Sequence, residues 1–321
     1  MNKYDILIID AVNLAHKIFS KNEEPLRLSR KLVYKESVCN FIREVENLEN
    51  TYLHFDGLVY ILFDNYFSRM DLESAFLSLN RKQIDEAYKA TRKKENREFF
   101  NSVNLIRYYY IINKPKYKTI RIDGLEADDL VKPLLQLELK NKRCLMVTSD
   151  LDWCRYLKEN IDWLPHLNQE PETLQDVQLR LNFPVTETNL ICYKAFFGDK
   201  SDNISSMLPE NETNKALFLD ILPQIKQPDD VIYMGRDQDL VERYPILKCL
   251  KANDTKKYSG ERRYMINVQL VSTLSCALEY LRENIITGQY NATLFRAVRE
   301  ALGLDTPKNT FVFGNIKRPK Q

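Results

Sequence analysis

Through the first 150 residues, short apolar runs alternate with stretches whose apolar positions recur at helical spacing. "YDILIID" (Tyr4 to Asp10), "GLVYILFD" (57–64) and "RCLMVTSD" (143–150) are almost continuous in Ile, Leu, Val and aromatic residues, the pattern of strands covered on both faces. "YKTIRID" (117–123) reads as a further strand. Helical periodicity occupies 37–55 and 126–140 between them. Strand and helix in alternation predict an α/β fold, a mainly parallel central sheet flanked by helices. From about Ser205 the texture changes to helical segments at 214–225, 267–283 and 292–302, joined by polar loops. The expected organisation is an α/β core over 1–204 and a helical C-terminal region over 205–321. The stretch 227–260 has turn signals at Pro228, Asp229 and Asp230 but only weak periodicity after them.

Several of these strands end in an acid. Asp10, Asp64 and Asp150 close three of them, and Glu126 follows the strand at 117–123 after a turn at Asp123 and Gly124. In open α/β sheets, binding sites form beyond the carboxyl ends of the strands, so independent segments deliver carboxylates to one edge. Asp128 and Asp129 continue "GLEADDLV", Asp152 lies two residues past Asp150, and "FFGDKSDNI" adds Asp199 and Asp202. Two ionised carboxylates about 4 Å apart repel by roughly 4 kcal/mol at an effective dielectric near 20. A helix N-terminus, basic side chains or metal ions must offset that. For "EADD" alone, acids in the first turn of a helix suffice, at about 0.3–1 kcal/mol each, but acids converging from separate segments call for one common cause. His16, His54 and His166 lie outside these motifs and the cysteines have no metal-type spacing, so Mg²⁺ or Mn²⁺ suits the donor set better than zinc. Two such ions about 4 Å apart can activate water and stabilise phosphoryl charge in phosphodiester cleavage.

Charge adds to this only locally. The net charge is +2, from 47 Lys and Arg against 45 Asp and Glu, so affinity for nucleic acid must come from segregation along the chain. Between Arg81 and Arg97, seven basic residues (Arg81, Lys82, Lys89, Arg92, Lys93, Lys94, Arg97) face Asp85, Glu86 and Glu95. A solvated helix face can look like this; Tyr88 beside Lys89 tilts the reading toward single strands, which bind basic tracks paired with aromatic surfaces. For Lys17, seven positions after Asp10, a phosphate contact and a surface salt bridge both remain open. The tyrosines of "RYYYIINKPKYK" read as core packing. Six scattered cysteines, no apolar leader and no run of roughly 20 apolar residues suggest reduced thiols in a cytoplasmic protein without a membrane span.

"IIDAVNLAHK", "LFD", "GLEADDLV", "TSDLDWCRYL" and "GDKSDNI", in that order, together with "RKQIDEAYKATR", resemble the flap endonuclease / 5′→3′ exonuclease family of PIN-like nucleases over about residues 1–204. The resemblance implies a helical arch over the site, at about 66–118, and two Mg²⁺ ions for which Mn²⁺ can substitute. It assigns Asp10, Asp64, Glu126, Asp128 and Asp150 to the first ion and Asp152, Asp199 and Asp202 to the second, with Asp129 acting through water or a neighbouring ligand. Lys89 and Arg92, three apart, would share a helix face and act on the scissile phosphate, with Asp150 at the catalytic centre. Arg81, Lys82, Tyr88, Lys93, Lys94, Arg97, Lys17 and Lys215 are the further nucleic-acid contacts expected. Two features depart from the family: the spacing from Asp64 to Arg81 is long, and "SSMLPENETNKALFLDIL" has no glycine where the family carries a Gly-rich helix-three-turn-helix. Such a chain looks most like the stand-alone RNase H-type 5′-nucleases of tailed phages, acting in the host cytoplasm. The implied function is removal of RNA primers or 5′ flaps in DNA replication, by a monomer working on DNA or RNA–DNA duplexes with a 5′ flap or 5′ end. A sliding clamp or single-strand-binding protein is a candidate partner for the tail "NTFVFGNIKRPKQ", for which packing on the core is the better reading. The competing readings are an RNA-directed PIN-like ribonuclease and a DNA-binding protein that has lost catalysis.

Overall fold

The computed structural model describes residues 3–19, 25–28, 30–64, 84–85, 88–89, 97–137, 139–252, 259–274 and 276–304. Its strands are β1 (Tyr4–Asp10), β2 (Pro25–Leu28), β3 (Lys31–Tyr34), β4 (Leu53–Leu62), β5 (Tyr117–Ile120), β6 (Cys144–Val147), β7 (Ile161–Leu164) and β8 (Ile285–Thr287). Six of them form one sheet in the order β7-β6-β1-β4-β5-β8, parallel except for β8, which runs antiparallel to β5. β1 lies inside the sheet because it is apolar on both sides: Leu7, Ile8 and Ile9 expose no surface. β2 and β3 pair as a separate antiparallel hairpin.

Leu7, Ile9, Val59 and Ile61 pack with buried side chains of the helices Ala11–Ile18, Lys35–Tyr52 and Arg97–Ile111. Ile6, Ile8, Tyr60 and Leu62 share the other core with Leu130, Val131 and Leu134 of helix Ala127–Leu137. That second core continues without a break into Phe218, Val231, Leu247, Tyr264 and Leu281 of the C-terminal region. From β1 the chain steps to β4 and β5 on one side, then returns to β6 on the other. The strand order therefore reverses between β1 and β6, where open α/β sheets place their crevice.

The expected elements need several corrections. The arch is expected to run to 118, yet helix Arg97–Ile111 lies against the sheet, because Phe99, Val103, Ile106 and Tyr110 fall on one helical face and are buried. Tyr109 and Tyr110 are core residues, as the tyrosine run predicts, but Tyr108, on the other side of the helix, is 41% exposed. The helix expected at 267–283 is two helices, Gly260–Val271 and Leu278–Glu283. Between them the chain leaves helical geometry so that Leu274 N–H can donate to Asp129 Oδ1 at 2.7 Å. The helix expected at 214–225 begins earlier, as Glu212–Ile221, because Asn211 caps it by accepting Asn214 N–H at 2.9 Å. Within 227–260 the helices Asp230–Arg236 and Gln238–Arg243 are too short to leave a period in the sequence. All six cysteines are free thiols. Among the described residues no helix is long and apolar enough to cross a membrane.

Candidate active site

The parallel register aligns the strand ends. Asp10 stands opposite Leu62, Ile9 opposite Val147 and Leu62 opposite Ile120, so the residues that follow β1, β4, β5 and β6 meet at one edge. Asp10 caps helix Ala11–Ile18, accepting Asn13 N–H at 3.0 Å on Oδ1, while its Oδ2 accepts the Thr148 hydroxyl at 3.1 Å. The same hydroxyl accepts Asp150 N–H at 3.1 Å, and Asn13 Oδ1 accepts both the N–H and the hydroxyl of Ser149, which locks the end of β6 to the end of β1. Asp64 accepts Ala127 N–H at 2.6 Å and draws the Glu126 segment over β4. Gly124, at φ 81, makes the reversal that a side chain with a Cβ rarely adopts.

Burial sets the electrostatics. Asp10 is 7% exposed, and burial, then the charges of Asp64 and Asp150, push its pKa up to about 8. Burial and the neighbouring Asp152 push Asp150 up to about 6, against the pull of Lys194. Carboxylates that resist ionisation because they crowd one another are suited to a divalent cation, and the all-oxygen donor set of Asp10, Asp64, Asp150 and Glu126 fits one. Among the described residues, no group of three or more His, Cys, Asp or Glu is yet gathered tightly enough to hold an ion. Two lysines stand among the acids instead. Lys89 Nζ lies 2.5 Å from Glu126 Oε2 and 3.9 Å from Asp202 Oδ2. Lys194 Nζ lies 2.5 Å from Asp152 Oδ1 and 2.6 Å from Asp199 Oδ2. Burial opposes the ionisation of Asp152, but Lys194 and Arg155 hold its pKa down at about 2. Lys194 in turn stays charged despite burial because Asp152 and Asp199 face it.

Other expected residues sit differently from the sequence reading. Asp129 is fully buried, and its two oxygens accept the N–H groups of Glu126, at 3.0 Å, and Leu274. That geometry suits a carboxylate that positions Glu126 rather than one that binds an ion. Asp128 heads the same helix and accepts Asp129 N–H at 3.0 Å. Tyr88, expected as a stacking surface, is only 4% exposed and packs in the core, its hydroxyl donating to Asp202 Oδ2 at 3.3 Å. Lys89 lies in a turn at φ 55, so the helical face it was to share with Arg92 is interrupted at Lys89 itself. Lys17 Nζ donates to the Pro165 carbonyl at 2.6 Å. Lys215, expected as a nucleic-acid contact, pairs with Glu210 at 3.3 Å and Glu212 at 3.8 Å. Arg97 is exposed at the start of its helix. Arg81, Lys82, Arg92, Lys93, Lys94 and the tail 305–321 lie outside the described residues. Sequence reasoning missed Lys194, Arg155 and Thr148. Lys194 did leave a signal: a single charge inside the apolar helical run "LICYKAFF" must find acidic partners if that helix is buried.

Residues 5–182 match the family model for the 5′-3′ exonuclease, N-terminal resolvase-like domain. A 5′-3′ exonuclease of Buchnera aphidicola subsp. Acyrthosiphon pisum is 28% identical over 190 residues, which cover 54% of this chain and 63% of that protein. The chain thus matches less than two thirds of that relative's length. Flap endonuclease Xni of Shewanella halifaxensis is 25% identical over 205 residues, 64% of this chain and 71% of that one. Among solved structures, the bacteriophage T5 flap endonuclease in a pseudo-enzyme-product complex with DNA and metal ions superposes with a TM-score of 0.59 at 17% identity, covering 93% of this chain and 99% of that chain. The T5 5′-exonuclease with bound zinc ions gives a TM-score of 0.57 at 17% identity, covering 93% and 98%. At such identities the structural likeness carries the fold: a mostly parallel sheet flanked by helices.

Proposed function

The chain belongs to the 5′-3′ exonuclease family, and from that premise we propose that it is a metal-dependent 5′-nuclease, hydrolysing phosphodiester bonds near 5′ ends or at 5′ flaps. The observation that carries the proposal is the meeting of Asp10, Asp64, Asp150 and Glu126 beyond the ends of four parallel strands, with Asp10 crowded and buried enough to raise its pKa to about 8. Those four, with Asp128, would hold a first Mg²⁺, for which Mn²⁺ could substitute. Asp152, Asp199 and Asp202 would hold a second once the Lys194 ammonium yields its place between Asp152 and Asp199. When bound, the ions supply activation of a water and stabilisation of phosphoryl charge. The chain's own residues supply the frame: Asn13 and Thr148 orient the ends of β1 and β6, Asp129 fixes Glu126, and Lys89 offers a cation beside Glu126 for phosphate oxygens. The T5 neighbour, solved with DNA and metal ions, supports nucleic acid as the substrate. Removal of RNA primers or 5′ flaps during replication is the role we assign.

The test is cleavage of 5′-labelled flap, nicked and RNA-primed duplexes in Mg²⁺, in Mn²⁺ and in EDTA. Cleavage close to the 5′ end or branch in either metal, none in EDTA, and loss of cleavage with retained binding in Asp150→Asn are expected. Tight binding of all three substrates with no cleavage in either metal would replace this reading with that of a DNA-binding protein.

A further inference from the structure

Ile84, Asp85, Tyr88 and Lys89 are the described residues between Asp64 and Arg97, and besides the Lys89–Glu126 pair, contacts on two sides tie them to the rest of the chain. On one side Lys89 N–H donates to the Asp202 carbonyl at 2.8 Å, and Tyr88 donates its hydroxyl to the Asp202 carboxylate. On the other side Arg263 Nη1 donates to Asp85 Oδ2 at 3.1 Å, in an ion pair whose side chains are only 13% and 19% exposed. Tyr88 N–H closes the turn on the Asp85 carbonyl at 3.0 Å, so whatever holds Asp85 also holds Tyr88 and Lys89.

Both anchors lead to one helix, Gly260–Val271. Asn267, one turn beyond Arg263, is fully buried, and its amide donates to Ala195 O at 2.9 Å and Ser205 O at 2.8 Å. It thereby ties together the two ends of the loop that carries Asp199 and Asp202. One turn further, the Val271 carbonyl accepts Arg155 Nη1 at 3.1 Å, and Arg155 is the partner of Asp152. Positions 263, 267 and 271 are four apart and share a helix face. That face thus braces the Ile84–Lys89 turn, the Asp199–Asp202 loop and Asp152 together. The turn needs such bracing, because Lys89 carries a Cβ in left-handed backbone, a conformation that persists only where its surroundings over-determine it.

We propose that Arg263 is a positioning residue: through Asp85 it fixes the Tyr88–Lys89 turn so that the Lys89 ammonium stands at the acidic cluster. The effect on rate rests on the nuclease reading above; the bracing does not.

Amide hydrogen exchange of the free protein tests the bracing. In Arg263→Ala, the Tyr88 and Lys89 amides should exchange roughly tenfold faster or more, the scale of one lost charge-assisted hydrogen bond. The Ala127 and Ile204 amides should be unchanged. Arg263→Lys should be intermediate, and the charge exchange Asp85→Arg with Arg263→Asp should restore protection. In Mg²⁺ with a 5′-flap duplex, Arg263→Ala should lower the single-turnover cleavage rate about tenfold and change Kd less than about threefold, again with rescue by the exchanged pair. Unchanged exchange at Tyr88 and Lys89 in Arg263→Ala overturns the proposal, whatever happens to cleavage, and so does an exchanged pair that rescues neither readout. If Arg263→Ala loosens Ala127 as well, the fold has suffered globally, and Arg263→Lys and the exchanged pair decide on the same two readouts. A wild-type protein that cuts nothing would remove the nuclease reading while exchange still decides the bracing.

Discussion

Asp10 sets burial against charge. Its carboxyl titrates at about 8 in the fold against 3.8 as the ordinary value, so between those pH values the native chain binds more protons than the unfolded one. Stability must then fall as pH rises through that window. Asp150, raised to about 6, acts in the same direction over its lower part. Asp152, held near 2, contributes stability that is complete above about pH 4 and so is constant here. In EDTA the melting temperature should therefore drop from pH 5.5 to pH 8, by on the order of 2–5 °C for a change of about 1–2 kcal/mol in a chain of this size, and Mg²⁺ should shrink the drop. A flat or rising profile in EDTA would show that the carboxylates are not crowded in solution. Asp10→Asn should remove the slope above about pH 6, leaving the part that Asp150 contributes, and stabilise the metal-free protein at pH 8 while abolishing cleavage, the usual exchange of stability for function at a strained site. Lys89 makes a different prediction. Its ammonium competes with an ion for Glu126, so Lys89→Ala should tighten Mn²⁺ binding to the free protein, read by calorimetry. It should also slow single-turnover cleavage by roughly 100- to 1,000-fold, the scale for removing a group aimed at transition-state charge.

In the segment after Ile204 the helix folds without glycine, and its charged side chains pair with one another. Helix Glu212–Ile221 is capped by Asn211 and buries Phe218 and Ile221, but its approach carries Glu210 and Glu212, which occupy Lys215. Glu210 is itself held by the Tyr193 hydroxyl at 2.5 Å. A paired lysine releases few counterions on meeting a phosphate, so Lys215→Ala alone should change duplex affinity little. Glu210→Gln with Glu212→Gln should free Lys215, tighten duplex binding and steepen the slope of log K against log salt by about 0.9, which anisotropy between about 50 and 200 mM salt would read. An unchanged slope would mean that duplex DNA does not approach this helix. None of these pairings could be read from the sequence, because they depend on where side chains meet. What was legible were elements with a strong local period and a chemical endpoint: β1, β4 and β6 are apolar runs that close on or just before Asp10, Asp64 and Asp150. β2, β3, β7 and β8, at three or four residues each, escaped notice because, unlike the equally short β6, none leads into an aspartate that marks its end. Tyr88 misled because "DEAYKATR" looks solvated, and only the neighbouring core and Asp202 bury it. Lys89 misled because its turn is left-handed, which no helical template anticipates.

At the scale of the whole molecule, the core runs across the expected boundary at 204. β8 completes the edge of the sheet against β5. Phe218, Val231, Leu247, Tyr264 and Leu281 belong to the same apolar cluster as Ile6, Tyr60 and Leu134. Two charged groups of the first 204 residues also depend on the later ones: Asp129 receives Leu274 N–H, and the buried guanidinium of Arg155 donates to the Val271 carbonyl. A chain ending at Ile204 would expose one face of the sheet to water and leave the Arg155 guanidinium, still paired with Asp152, without its Val271 acceptor, a loss typically of about 1–3 kcal/mol. That loss and the exposed apolar face weigh against the roughly 5–15 kcal/mol by which a folded protein is stable. The shortened chain should therefore keep far-UV helical signal, lose near-UV signal and cooperative melting, and bind a hydrophobic dye, the signature of a collapsed state without fixed packing. Asp129→Ala in the full chain is the milder version. It leaves the Glu126 and Leu274 amides without their shared acceptor, at about 1–3 kcal/mol each, and should lower the melting temperature while weakening Mn²⁺ binding through the displaced Glu126. If the chain ending at Ile204 instead melts cooperatively, the two halves fold independently and the Leu274 contact contributes little, while Asp129→Ala should still weaken Mn²⁺ binding through Glu126.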